Sequence, residues 1–389
     1  MRNLAAPHMP AVRDVGGGPA RTRRAGPALI LLAVVVLAAG CGMARAAPPP
    51  GPRPVPGTPP ATAFVLTVSG PDENTLGAVA LPGGRRLWSA SIPGQTAGLV
   101  VAPRVGRAYV LAGPPFTLTP VSLSTGAVGR PIGVGPAAWS VALAPDGTTA
   151  YVVNAGTGIA ILPGPDGSTI TPVNLRTEKA GPAISVGNGP CGIAFTGDDT
   201  AWVSLPLAGH LTQVNLAAGR PGPSVAVPPT PRWQVAAPCV LAVASGAGLL
   251  AVGNLQQDLA FPAPVVNLLD LASHRWRRPI TLPGSSSNAV DELGFSPDAR
   301  HVYVSARTRG GLTDTLYIAS IVTGTVTQAR LTGQSVIFAL TPGGGTLWVA
   351  ASTGSGERQE TALLPVSATT GVPGRAVAYL PGTPVAIGL

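Results

Sequence analysis

The sequence predicts an all-β fold, a seven-bladed β-propeller whose blades are four-stranded antiparallel sheets, and three observations lead there. Glycine (51) and proline (44) together fill about a quarter of the 389 positions, which works against long helices because glycine loses most entropy there and proline lacks an amide donor. Apolar residues make up 45% of the chain and charged residues 11%, enough to bury a core and unlike a disordered composition. Past residue 62, a strand-turn-strand unit recurs at the spacing of propeller blades.

Residues 1–40 read as an export signal. Arg21, Arg23 and Arg24 stand before an unbroken apolar run from Ala28 to Ala39, closed by Gly40 and Cys41. The run is shorter than the roughly 20 residues needed to span a bilayer. Its end, Leu37-Ala38-Ala39-Gly40-Cys41, resembles the lipobox of bacterial lipoproteins. That resemblance implies cleavage before Cys41, a diacylglyceryl group on its thiol, and an extracytoplasmic protein anchored to the membrane through lipid. Secretory cleavage near Ala44 or Ala47, or an uncleaved anchor, are the alternatives. Residues 41–62 then form a tether: eight prolines between Pro48 and Pro60 remove donors and favour extended polyproline II.

Charge argues against nucleic acid. The formal net charge is +9, but without Arg2, Arg13, Arg21, Arg23, Arg24 and Asp14 of the leader, 20 basic and 15 acidic residues remain. Lys179 is the only lysine, so no lysine-rich tract exists.

Residues 63–389 carry the repeat. Its clearest copy runs from Val141 to Asn154: an apolar strand, the turn Pro145-Asp146-Gly147, and a second strand Tyr151-Val152-Val153-Asn154. Further copies lead to Tyr303, Trp202, Trp348, Tyr109 and Ala251. The valine that follows each of these falls at Val110, Val152, Val203, Val252, Val304 and Val349, spaced by 42 to 52 residues. Gly158–Leu162 and Ile170–Leu175 are expected as the third and fourth strands of one blade. Phe64–Val68 reads as a second strand lacking its first, and Pro384–Leu389 as a first strand lacking its second. Joining them closes a ring of seven and removes two open edges.

These units resemble the YVTN-type β-propeller repeat family of bacterial surface proteins, itself similar to lactonase-type seven-bladed propellers. The match rests on Pro145-Asp146-Gly147 with Tyr151–Asn154 and on Pro297-Asp298 with Tyr303-Val304. The motif marks a blade and no single activity.

No catalytic constellation stands out. Asp146, Asp198, Asp199 and Asp298 lie in first turns, where a carboxylate caps backbone amides. His210, His274 and His301 fall in different blades without metal-ligand spacing, so no metal or other cofactor is expected. Ser285-Ser286-Ser287 reads as a loop, and no Gly-x-Ser-x-Gly elbow occurs. Arg275, Arg277 and Arg278 around Trp276 read as the charged guard of an outer strand. Aligning the inner strands places Ala97, Trp139, Cys191, Cys239, Asp291, Val336 and Val385 at one level of the central channel. Trp139 offers a stacking face there, and Asp291 with Glu292 offers the carboxylate pair in this register, a candidate ligand site at the channel mouth. Cys191 and Cys239 occupy equivalent places in adjacent blades and are expected to form a disulfide in an oxidising compartment. The expected function is a lipid-anchored extracytoplasmic propeller acting as a binding or scaffold module for a cell-envelope ligand, such as a glycan, or a protein. The alternative is a lactonase-type hydrolase or lyase with its site at the channel mouth.

Overall fold

A computed structural model describes residues 61–389 apart from 71–72, 156–166, 230–235, 255–264, 284–289, 308–313, 330, 332–334, 342 and 355–358. The leader, Cys41, the tether as far as Pro60, Gly158–Leu162 and Ser285-Ser286-Ser287 lie outside the described residues, and Thr62, expected in the tether, opens a strand of blade 1.

Seven antiparallel sheets form the blades. From the channel outward, blade 1 is Thr383–Gly388, Thr62–Val68, Asn74–Ala80 and Arg85–Ile92, and blade 2 is Gln95–Ala102, Arg107–Gly113, Thr117–Ser122 and Ile132–Gly133. Blade 3 is Ala138–Leu143, Thr149–Asn154 and Thr169–Asn174, with an outer edge split into Lys179–Ala180 and Ile184–Ser185. Blade 4 is Ile193–Gly197, Thr200–Leu205, His210–Asn215 and Arg220–Ala226. Blade 5 is Pro238–Ala244, Leu249–Asn254 and Val265–Asp270, with Arg275–Trp276 and Ile280–Thr281 at its edge. Blade 6 is Val290–Phe295, His301–Arg307, Asp314–Ser320 and Val326–Gln328, and blade 7 is Val336–Leu340, Thr346–Thr353, Glu360–Ser367 and Ala378–Pro381. The innermost strands touch one another in sequence around the ring.

Closure follows the expected pairing. Phe64 faces Gly388, Val65 faces Ile387 and Leu66 faces Ala386, so the two ends of the repeat region share blade 1. One expectation is corrected: the strand beginning at Thr169 pairs directly with Thr149–Asn154, so Ile170 and Val173 belong to the third strand of blade 3, not the fourth. The true fourth strand is broken at Gly181-Pro182, where proline cannot donate to the ladder.

Hydrophobic burial explains why blades stack. Seven apolar clusters lie among the described residues, and each joins one blade to the next. Second strands are therefore buried on both faces, as in Ala150–Asn154 and Leu249–Asn254. This is why their sequences run apolar without alternation. The first turns are held by local chemistry. Asp146 Oδ1 accepts from the Thr148 and Thr149 amides at 2.7 and 2.9 Å, while Gly147 takes the left-handed φ of 64° that the turn demands. Asp146 Oδ2 also accepts from the Thr148 and Thr149 hydroxyls at 3.1 and 2.8 Å; partial burial raises the carboxyl, but the four bonds together outweigh it and hold it below the usual carboxylate range.

Candidate functional site at the channel mouth

Inner strands begin at one end of the ring, here the mouth end, and finish at the opposite end, which carries the first turns. In five blades the inner strand holds a β-bulge near its start. Ladder partners jump from Thr96 to Gly98, Ala138 to Ser140, Pro238 to Val240, Val290 to Glu292, and Ala386 to Pro384. The residues left without a partner position are Ala97, Trp139, Cys239, Asp291 and Val385. A bulge inserts one extra residue and re-aims its side chain, so five of the seven positions brought to one level by aligning the repeats are bulges, while Cys191 precedes its strand and Val336 pairs regularly with Ala351.

Trp139, Asp291, Glu292, Cys191 and Cys239 border one cavity of about 680 Å³, lined by the inner strands of blades 2 to 6. Trp139 keeps 40% of its surface exposed, unusual for so large an apolar side chain, and its face is available to a ligand. The carboxyl groups are the only charged side chains among the described lining residues. Asp291 is exposed, whereas Glu292 retains some surface but holds its carboxyl in the channel wall. There, Glu292 Oε2 accepts the Phe338 amide of blade 7 at 2.7 Å. Desolvation pushes the Glu292 carboxyl up to about 8, and the adjacent Asp291 charge acts in the same direction; the Phe338 bond opposes both. At neutral pH Glu292 is mostly protonated, a hydroxyl donor in a cavity wall.

The wall is stitched by side chains that sequence reasoning did not single out. Ser140 Oγ donates to the Cys191 carbonyl at 2.7 Å, Ser204 Oγ to the Cys239 carbonyl at 3.0 Å, and Ser305 Oγ to the Val336 carbonyl at 2.5 Å. Each bond crosses from one blade to the next. The signal lay in the Val-Ser pairs at Val203-Ser204 and Val304-Ser305, small polar residues inside otherwise apolar buried strands.

Blades 4 and 5 approach closely at Gly192. A Cβ there would lie 2.0 Å from the Cys239 carbonyl oxygen, so only glycine permits the approach. The Gly192 amide donates to Ser204 Oγ at 2.9 Å, which in turn donates to Cys239. Cys191 and Cys239 stand with Cα atoms 5.0 Å apart and are joined as a disulfide beneath the cavity.

The remaining candidates do not converge. His210, His274 and His301 belong to blades 4, 5 and 6 at separate strand ends. Among the described residues, no group of three His, Cys, Asp or Glu side chains is placed to share a metal ion. Arg275 and Trp276 form an edge strand of blade 5. Arg277 pairs with Asp270 at 2.7 Å, and Trp276 Nε1 donates to Ala226 of blade 4 at 2.9 Å, so these two side chains are engaged in structure. No helix among the described residues is long and apolar enough to cross a membrane.

No protein-family model matches the sequence, and no curated protein matches it either. Solved structures do. A candidate 6-phosphogluconolactonase from Bacteroides fragilis superposes with a TM-score of 0.64 at 15% identity, covering 86% of this chain and 99% of that one. A periplasmic gluconolactonase from Pseudomonas aeruginosa gives 0.62 at 16% identity, over 84% and 98% of the two chains. The apo form of AztD from Citrobacter koseri gives 0.51 at 14%, over 84% and 97%. At these identities the shared property is the propeller fold.

Proposed function

We propose that this chain is an extracytoplasmic, lipid-anchored propeller of the YVTN type that binds a small polyhydroxylated ligand, such as a sugar unit of a cell-envelope glycan, at the channel mouth. The carrying observation is convergence: the exposed Trp139 of blade 3 and the two carboxyl groups of Asp291 and Glu292 of blade 6 border a single cavity of about 680 Å³. An indole face stacks on the apolar side of a sugar ring, while carboxyl groups accept from and donate to its hydroxyls. The described lining holds acids and no base, which favours a neutral or cationic ligand over a phosphorylated or acidic one. Calorimetric titration of the full chain with neutral sugars, amino sugars and their phosphorylated counterparts tests this. Binding of the first two, weakened by Trp139→Ala and by Asp291→Asn, is expected; preferential binding of the phosphorylated set would overturn it.

A lactonase-type hydrolase is the second reading. It is favoured by the adjacency of Asp291 and a largely protonated Glu292, an acid beside a carboxylate, and by the names of two propellers of similar fold. Turnover of unphosphorylated aldonolactones, abolished by Glu292→Gln, distinguishes it from binding alone.

A further inference from the structure

The turn end of the ring has its own chemistry. The chain enters the ring at Thr62, which pairs with Ala80, and Ala80 pairs with Arg85. The segment that leads back toward Cys41 therefore leaves from the row of strand ends that carries Arg85 and Arg86. At this end, blades 1 to 3 present Arg85, Arg86, Arg104, Arg107, Arg176 and Lys179 against only Asp146 and Glu178. Both acids are engaged, Asp146 by the Thr148 and Thr149 amides and Glu178 by Arg107 at 2.7 Å. The same end of blades 4 to 7 carries Asp198, Asp199, Asp270 and Asp298 against Arg220, Arg275, Arg277 and Arg300, with Arg277 paired to Asp270 at 2.7 Å. The positive excess is thus concentrated in the sector where the chain enters.

The sector is continuous. Trp88 Nε1 of blade 1 donates to Leu123 of blade 2 at 3.0 Å, and Arg107 of blade 2 reaches Glu178 of blade 3. Leu87, 39% exposed, is the bulged residue of the outer strand beside Arg85 and Arg86, placing an apolar side chain next to the charges. Guanidinium groups flanked by an exposed leucine suit a lipid headgroup layer.

We propose that the basic sector of blades 1 to 3 docks on an anionic lipid surface, turning the channel mouth away from the membrane. The proposal rests on the reading of Cys41 as the anchor point. About twenty residues separate Cys41 from the ring, a contour length of at most roughly 70 Å, and chain length by itself does not select which face of the ring meets the membrane. Charge then selects the face, because attraction to an anionic surface acts within a Debye length of about 8 to 10 Å.

Hydrogen exchange on the full chain, reconstituted into nanodiscs of phosphatidylcholine alone or with phosphatidylglycerol, tests the proposal. Reconstitution through the leader or a lipid serves equally, and the mass of the Cys41 peptide reports separately on the anchor. The expected result is slowed exchange at 80–87, 103–107 and 175–179 on the anionic discs only. Molar salt should remove the protection, as should the exposed-site variant Arg85→Glu/Arg176→Glu/Lys179→Glu with an unchanged Tm. Equal protection on both disc types, protection at 138–143 or 290–295 instead, or none at all, would each overturn it.

Discussion

Breaking the link between Cys191 and Cys239 gives the sharpest test of the seam between blades 4 and 5. The two residues are 48 positions apart, and closing a loop of that length removes unfolded-state entropy worth about 4 kcal/mol at 25 °C in the chain-entropy model. A ring of roughly 330 residues unfolds with an entropy near 0.7 kcal/mol/K, so the Cys191→Ser/Cys239→Ser variant should melt about 6 °C lower, as an upper bound. The contacts across this seam remain in place after the change, including Ser204 Oγ with the Cys239 carbonyl, Trp276 Nε1 with the Ala226 carbonyl and the apolar packing around Trp202 and Leu250, so the fold should survive. Calorimetry on the full chain, with and without reductant, reads the shift; the variant should be insensitive to reductant and wild type should fall to meet it. Alkylation of Cys191 and Cys239 in the folded protein without prior reduction, or equal melting of variant and wild type, would refute the reasoning.

Other expectations follow from the same wall. Gly192→Ala puts a methyl group 2.0 Å from the Cys239 carbonyl, so blades 4 and 5 must separate; a loss of about 1–3 kcal/mol in chemical denaturation is expected, with readier reduction of the cysteines. The Glu292 carboxyl is raised in the folded state to about 8, so folding takes up a proton between the ordinary carboxylate range and pH 8. Its contribution to stability is therefore fully present at low pH and declines as pH rises toward 8. Glu292→Gln keeps an oxygen for the Phe338 amide and cannot titrate, so its Tm should overtake wild type as pH goes from 5 to 9; a constant difference would contradict the assignment. Deleting residues 384–389 strips the inner strand from blade 1 and exposes Leu66 and Val65, and Tm should fall by well over 10 °C or folding should fail. Cys41→Ser should leave an unprocessed precursor or release the protein from the membrane fraction, read by mass and fractionation.

What the sequence made legible follows from where the physics is local. A first turn is set by Pro145, Asp146 and Gly147 themselves, and second strands are buried on both faces, so their residues announce a blade. Outer strands were illegible because they hold little that is periodic: Ile132–Gly133, Arg275–Trp276 and Lys179–Ala180 are two-residue ladders interrupted by prolines. That is why the Ile170 strand was displaced by one position in blade 3. The site shows the same division. Aligning repeats brought Trp139, Cys239 and Asp291 to one level because equivalent residues in a cyclic array share a radius and height. It could not show that five of these positions are bulges, since a bulge depends on pairing across two strands. Nor could it show Glu292 against Phe338 or Ser204 against Cys239, because those contacts arise only when neighbouring blades close on each other. The residues that give the cavity its chemistry were visible one by one, but what tunes them is the interblade seam. A glycine, a serine or a carboxyl facing that seam has more effect on the site than its own blade reveals.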